Sequence, residues 1–156
     1  MVLDDHQKEV LRKSLVDSAR NLLGIPYKYG AEWTDLTKPP TELDCSELTE
    51  NVFLMNGLRM PDGSQAQFEY TVPTGDPKPG DLGFFGRGGK TNQIYHVGML
   101  FDYHVIDANR SIGNMIEARG HDPKASFETG KVILRPTSAW TNYGNWVGFR
   151  SQPKLL

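Results

Sequence analysis

The sequence predicts an α+β fold, with N-terminal helices packed on a central antiparallel sheet. Two observations predict it. Through about residue 70, apolar residues recur at helical spacing. From residue 81 onward the period changes, and short apolar stretches separated by polar or glycine-rich turns read as strands.

In order along the chain, residues 4–23 read as an amphipathic helix. Leu11, Leu15, Ala19 and Leu22 make one stripe, with Lys8, Arg12, Lys13 and Asp17 away from it. Gly24 and Pro26 stop that helix. A short extended piece with two tyrosines follows over 25–30, then a loop over 31–43 with two prolines. Leu48, Val52 and Met55 then recur at helical spacing until Asn56-Gly57 ends the run, a helix of about three turns. After a turn at 60–64, Ser64 is placed to cap a short helix through Tyr70. A loop rich in proline and glycine covers 73–80. Strands are expected at 81–85, 94–101, 104–107, 114–118, 131–134 and 146–149, with a glycine-rich loop over 86–92. The aromatic segment 140–146 reads as packing for the last strand rather than as a sugar contact.

Composition narrows the function. The 156 residues suit a single domain over 1–156, with no separate wall-binding domain expected. A formal net charge of −2 argues against a nucleic-acid partner. No run is long and apolar enough to span a bilayer, and the polar start of the chain shows no signal peptide. One cysteine allows neither an internal disulfide nor a multi-cysteine zinc site. Histidines at 6, 96, 104 and 121 lack metal-ligand spacing, so no dedicated metal site is expected.

The chemistry centres on Cys45, in Asp44-Cys45-Ser46-Glu47-Leu48. It falls in the first turn of its helix, where unpaired N–H groups and the positive dipole end favour an anion such as a thiolate. A buried structural thiol is the plain alternative. His96 lies in the strand over 94–101, and alternation puts it on a face with Ile94, Gly98 and Leu100. Gly98 leaves open space beside the ring, which suits a general base for Cys45. His6, His104 and His121 read as surface residues. A catalytic imidazole needs its second nitrogen held. Glu117 and Asp107 are both lone acids in short apolar stretches and both qualify. Asn92 and Gln93 are weaker candidates for the rim.

Together these segments resemble the NlpC-type cell-wall cysteine peptidases, a papain-like family that cuts peptidoglycan stem peptides. The resemblance runs through Pro26-Tyr27-Lys28-Tyr29-Gly30, Asp44-Cys45-Ser46, Met60-Pro61 ahead of Gln67, Pro79-Gly80-Asp81-Leu82 and His96-Val97-Gly98. It ends with Glu117 or Asp107 as the third polar residue and spans roughly residues 11–135. It implies Cys45 as nucleophile and His96 as base, with no metal or organic cofactor required. Tyr27 would help shape the oxyanion site, and Asp44 and Ser46 would hold the free amino end of the substrate.

The chain departs from the family at Glu47, where glycine is usual. A carboxylate aimed at a thiolate would oppose it, so Glu47 is expected to point into solvent or toward the cleft. The Asp-Cys-Ser-Glu-Leu and Ile-Glu-Ala-Arg-Gly segments look most like phage-borne members, which favours Glu117 over Asp107. On that reading the protein is a phage lysin or tail-associated hydrolase, a monomer or part of a phage particle. It would be made in the cytoplasm and reach the cell wall through a holin, a virion or a secretion system. The alternatives are an N-acetylmuramoyl-L-alanine amidase of the same fold, and a non-catalytic phage structural or wall-binding module.

Overall fold

The computed structural model describes residues 1–156. Three helices precede the main strands: α1 (Asp5–Arg20), α2 (Cys45–Met55) and α3 (Ser64–Tyr70). The strands are β1 (Val72–Pro73), β2 (Leu82–Gly86), β3 (Ile94–Asp107), β4 (Arg110–Arg119), β5 (Lys131–Pro136) and β6 (Trp146–Ser151). They form one antiparallel sheet in the order β1-β6-β2-β3-β4-β5. A fourth helix, α4 (Thr137–Thr141), sits between β5 and β6. No helix is long and apolar enough to cross a membrane.

The helix starts follow their sequences. Asp4 and Gln7 make a reciprocal capping box on α1. Asp44 caps α2 by accepting from the Glu47 N–H at 2.8 Å. At α3 the expected Ser64 cap is corrected. Ser64 is already helical, and Gly63, at φ 88°, precedes it with no side-chain bond.

The sheet has two cores because alternate residues face opposite ways. On one face α1 and α2 bury Leu15, Ala19, Val52 and Phe53 against Phe84, Val97, Met99 and Ile116. On the other, Trp140 of α4 packs with Phe85, Leu100 and Met115. Sequence periodicity placed no helix between β5 and β6. Five residues over 137–141 are too few for a periodic signal.

Arg12 is another correction. Its side chain was assigned to the solvent face, but it is 8% exposed and pairs with the buried Asp81 at 2.8 Å. Asp81 also accepts from the Ser151 hydroxyl and the Lys78 N–H. A buried ion pair is stable only with its remaining polar atoms satisfied, as here. The pair ties α1 to the start of β2. Gly80, at φ 95°, makes the turn that carries Asp81 inward.

The strands expected at 94–101 and 104–107 are one strand, β3, continuous through a hairpin with β4. Register shifts at Leu100/Asp102 and Val105/Asp107 obscured its length. The β3–β4 register ends at Met99–Ile116, so the His96 half of β3 and the Glu117 half of β4 no longer pair with each other.

Candidate active site

The first residue of α2 is Cys45, 9% exposed. Asp44 occupies the Glu47 N–H, which leaves the Cys45 N–H at the open, positive end of the helix. The helix start is held from three directions. The Asp44 carboxylate also accepts from the Gly30 N–H at 3.2 Å and from the Ser46 hydroxyl at 3.3 Å. Gln67, fully buried, donates to the carbonyls of Ser46 and Pro61 and accepts from Thr49. The third anchor is Glu47, which borders the cleft, one of its two expected positions, rather than standing in solvent. It is 7% exposed and accepts from the Trp33 N–H and the Asn51 side chain, fastening the 31–43 loop to α2. Its carboxylate is taken up by those donors.

His96 shares its face with Gly98 and Leu100 as alternation requires, but Ile94 departs from that set. A register shift between Phe85 and Gly86 sets His96 opposite Phe85 and Ile94 opposite Gly86. Ile94 therefore packs into the helix-side core, and Tyr95 joins the opposite face. The imidazole is stacked against Phe85 and Trp140, with ring centroids 5.6 and 5.3 Å away. Gly98 makes room for that arrangement, since a Cβ there would come 2.7 Å from the Trp140 ring.

Nε2 of His96 lies 2.9 Å from Oε1 of Glu117. That leaves Nδ1 to face Cys45, whose thiol acts on the ring to raise its pKa. Glu117 is fully buried, and its Oε2 accepts from Nε of Arg135 at 2.7 Å and from Nε1 of Trp140 at 2.9 Å. Burial would push the His96 pKa down. Hydrogen bonds and charge from Cys45 and Glu117 outweigh it and push the value up to about 9. Burial pushes Glu117 up, and His96 and Arg135 more than offset this, holding it below the ordinary range. Tyr27 packs beside Cys45, and burial together with the charges of Cys45 and Asp44 pushes its hydroxyl up to about 12. The phenol therefore stays a donor at neutral pH.

Asp107 does not join this site. It lies at the β3–β4 turn, exposed, accepting from the Asn109 N–H and from Arg110. Eleven strand positions separate it from His96, about 35 Å of extended chain. Gln93 lines the Cys45 cleft and Asn92 does not. Three side chains that sequence reasoning missed, Trp140, Arg135 and Arg119, surround Glu117. The alternation of β4 and β5 signalled the two arginines, because Arg135 faces Met115 across the ladder.

Glu47, Glu50 and Asp62 are the one group of side chains close enough to share a cation, with ligand atoms within 4.8 Å. Burial and the two neighbouring carboxylates push Glu50 up to about 7.

The model of the NlpC/P60 family matches residues 24–139. The chain is 36% identical over 88 residues to "Probable endopeptidase p60" of Listeria innocua, covering 55% of this chain and 17% of that protein. It is 30% identical over 123 residues to "Gamma-DL-glutamyl hydrolase" of Bacillus subtilis, covering 76% of this chain and 28% of that one. The chain thus spans well under a third of both relatives. A solved NlpC/P60 family protein from Bacillus cereus has the same fold, with a TM-score of 0.66 at 23% identity over 90% of this chain and 40% of that one.

Proposed function

Because the chain belongs to the NlpC/P60 family, we propose that it is a cysteine hydrolase that cuts peptide bonds in bacterial peptidoglycan stem peptides. The observation that carries this reading is the Cys45–His96–Glu117 relay, with the thiol at a helix start and the imidazole clamped by a buried carboxylate. Both relatives, named an endopeptidase and a γ-glutamyl hydrolase, support hydrolysis of an amide bond.

The chemistry runs as a proton shuttle. His96 holds the proton taken from Cys45, and the pair sits as thiolate and imidazolium. The thiolate sulfur attacks the carbonyl carbon, whose π electrons move onto oxygen. The Cys45 N–H and the Tyr27 hydroxyl donate to that oxyanion. The carbonyl reforms as the C–N bond breaks, and the imidazolium gives its proton to the leaving nitrogen. Water, deprotonated by His96, then attacks the thioester and returns the thiol. Asp44 and Ser46 border the Cys45 cleft, where they suit a free amino group on the acyl side. The Glu47 and Ile116-Glu117-Ala118-Arg119-Gly120 segments support a phage-borne member acting on the wall.

The test is mass spectrometry of purified peptidoglycan incubated with wild type and with Cys45→Ala. The reading predicts new stem-peptide fragments from wild type alone, with at least 10⁴-fold less product from the variant. Whole stem peptides released from glycan would make it an amidase, and product formation by Cys45→Ala would contradict the nucleophile assignment.

A further inference from the structure

Two clefts meet at the reacting pair, and their charges are opposite. The first, about 790 Å³, contains Cys45 but not His96 and is lined by Glu32, Asp44, Glu47 and Asp62, with Arg87 as its one arginine. The second, about 510 Å³, contains His96 but not Cys45 and is lined by Arg119, Arg135 and His121, with Asp122 as its one carboxylate. Tyr27 and Tyr95 border both.

We infer that the His96-side cleft is a carboxylate-binding site for the leaving group, read by Arg119 with the outer nitrogens of Arg135. This rests on the hydrolase reading above. The acid that protonates the leaving amine must lie beside that amine, so the cleft that holds His96 receives the leaving group. What that group carries follows from the unused donors in the cleft. The guanidinium of Arg119 makes no hydrogen bond, stopping 3.6 Å from Asp122 and 4.0 Å from Glu117. It is held over the Phe127 ring at 5.3 Å, with a side chain only 25% exposed. Arg135 spends its Nε on Glu117, and its two terminal nitrogens have no partner in the protein. Arg119 holds only these long ion pairs, and guanidinium donors not engaged in hydrogen bonds match a carboxylate bidentately. Tyr143 stands over Phe85 at 4.9 Å and closes the far wall, apolar enough to take a side-chain stem. The preferred substrate therefore has an amino group on the acyl side and a free carboxylate on the residue that leaves. The charge order across the scissile bond fixes the direction in which a peptide lies.

The probes are L-alanyl-γ-D-glutamyl-L-lysine with a free terminal carboxylate and the same peptide as its terminal amide. Binding is measured by NMR titration in the Cys45→Ala protein, where turnover cannot intervene, with and without Arg119→Gln or Arg119→Lys. The free acid should bind about tenfold or more tightly than the amide. Arg119→Gln should reduce that ratio to within about twofold, and Arg119→Lys should restore part of it. Steady-state turnover with Cys45 present should show the same ratio in KM. Equal binding of acid and amide by a protein that hydrolyses either peptide overturns the inference alone. A preference that survives Arg119→Gln does the same. If neither peptide binds, the hydrolase reading and this inference both fall.

Discussion

Glu117 and Asp107 are both acids in short apolar stretches of the β3–β4 hairpin, yet the two ends of that hairpin are chemically different places. At the Glu117 end the strands separate, and the gap is filled by a carboxylate with four bonding or ionic partners and no solvent exposure. At the Asp107 end the strands stay paired and stand in water, with Val105, Ile106 and Ile112 all more than half exposed. The lesson is that a carboxylate directs an imidazole only where water is excluded and every other lone pair is satisfied. Local sequence does not report either condition.

The comparison breaks most visibly on deletion of each acid. Glu117→Ala takes the acceptor from the partly buried Arg135 and from the buried Trp140 N–H, and should cost about 3 kcal/mol of stability, read as a melting temperature about 10 °C lower. Turnover should fall at least 100-fold, because the imidazole loses its anchor. A smaller effect comes from Gly98→Ala, whose Cβ would meet the Trp140 ring at 2.7 Å and the Ile116 carbonyl at 3.1 Å. Overpacking of that kind should cost about 2 kcal/mol and lower kcat by shifting Trp140 off His96, as melting and single-turnover rates would show. Trp140→Phe keeps a ring over His96 but removes the donor to Oε2 of Glu117. About 1–2 kcal/mol and a drop of about tenfold in kcat at unchanged KM are expected. Asp107→Ala should change neither melting nor turnover, because its only partners are exposed neighbours in the turn. A loss of activity there comparable with that of Glu117→Ala would undo the contrast.

How legible this was in the sequence depended on distance along the chain. The α2 start could be read because its signals are local: the Asp44 cap, Leu48 and Val52 one helical turn apart, and the Asn56-Gly57 stop. His96 and Glu117 could be read as strand residues, and the resemblance put them in order. The partners of Glu117 could not, because Trp140 reaches it from a five-residue helix 23 positions away and Arg135 from the next strand. Ile94 was placed on the wrong face because a bulge shifts alternation by one residue without marking the sequence. Arg12 was assigned to solvent, and Glu47 to solvent or the cleft, because charge usually goes there. Each is buried because a backbone N–H or a buried acid awaited it.

The central claim is that Cys45 and Glu117 together keep His96 protonated inside a largely buried site. Its direct test is an NMR pH titration of the His96 ring nitrogens in wild type. A midpoint near 9 is predicted, falling in both Glu117→Gln and Cys45→Ala. The folding stability carried by this proton would then be complete below about pH 6.5 and lost as pH rises through about 9. A wild-type midpoint at or below about 6.5 would show that burial outweighs both partners, and would contradict the ion pair on which the mechanism depends.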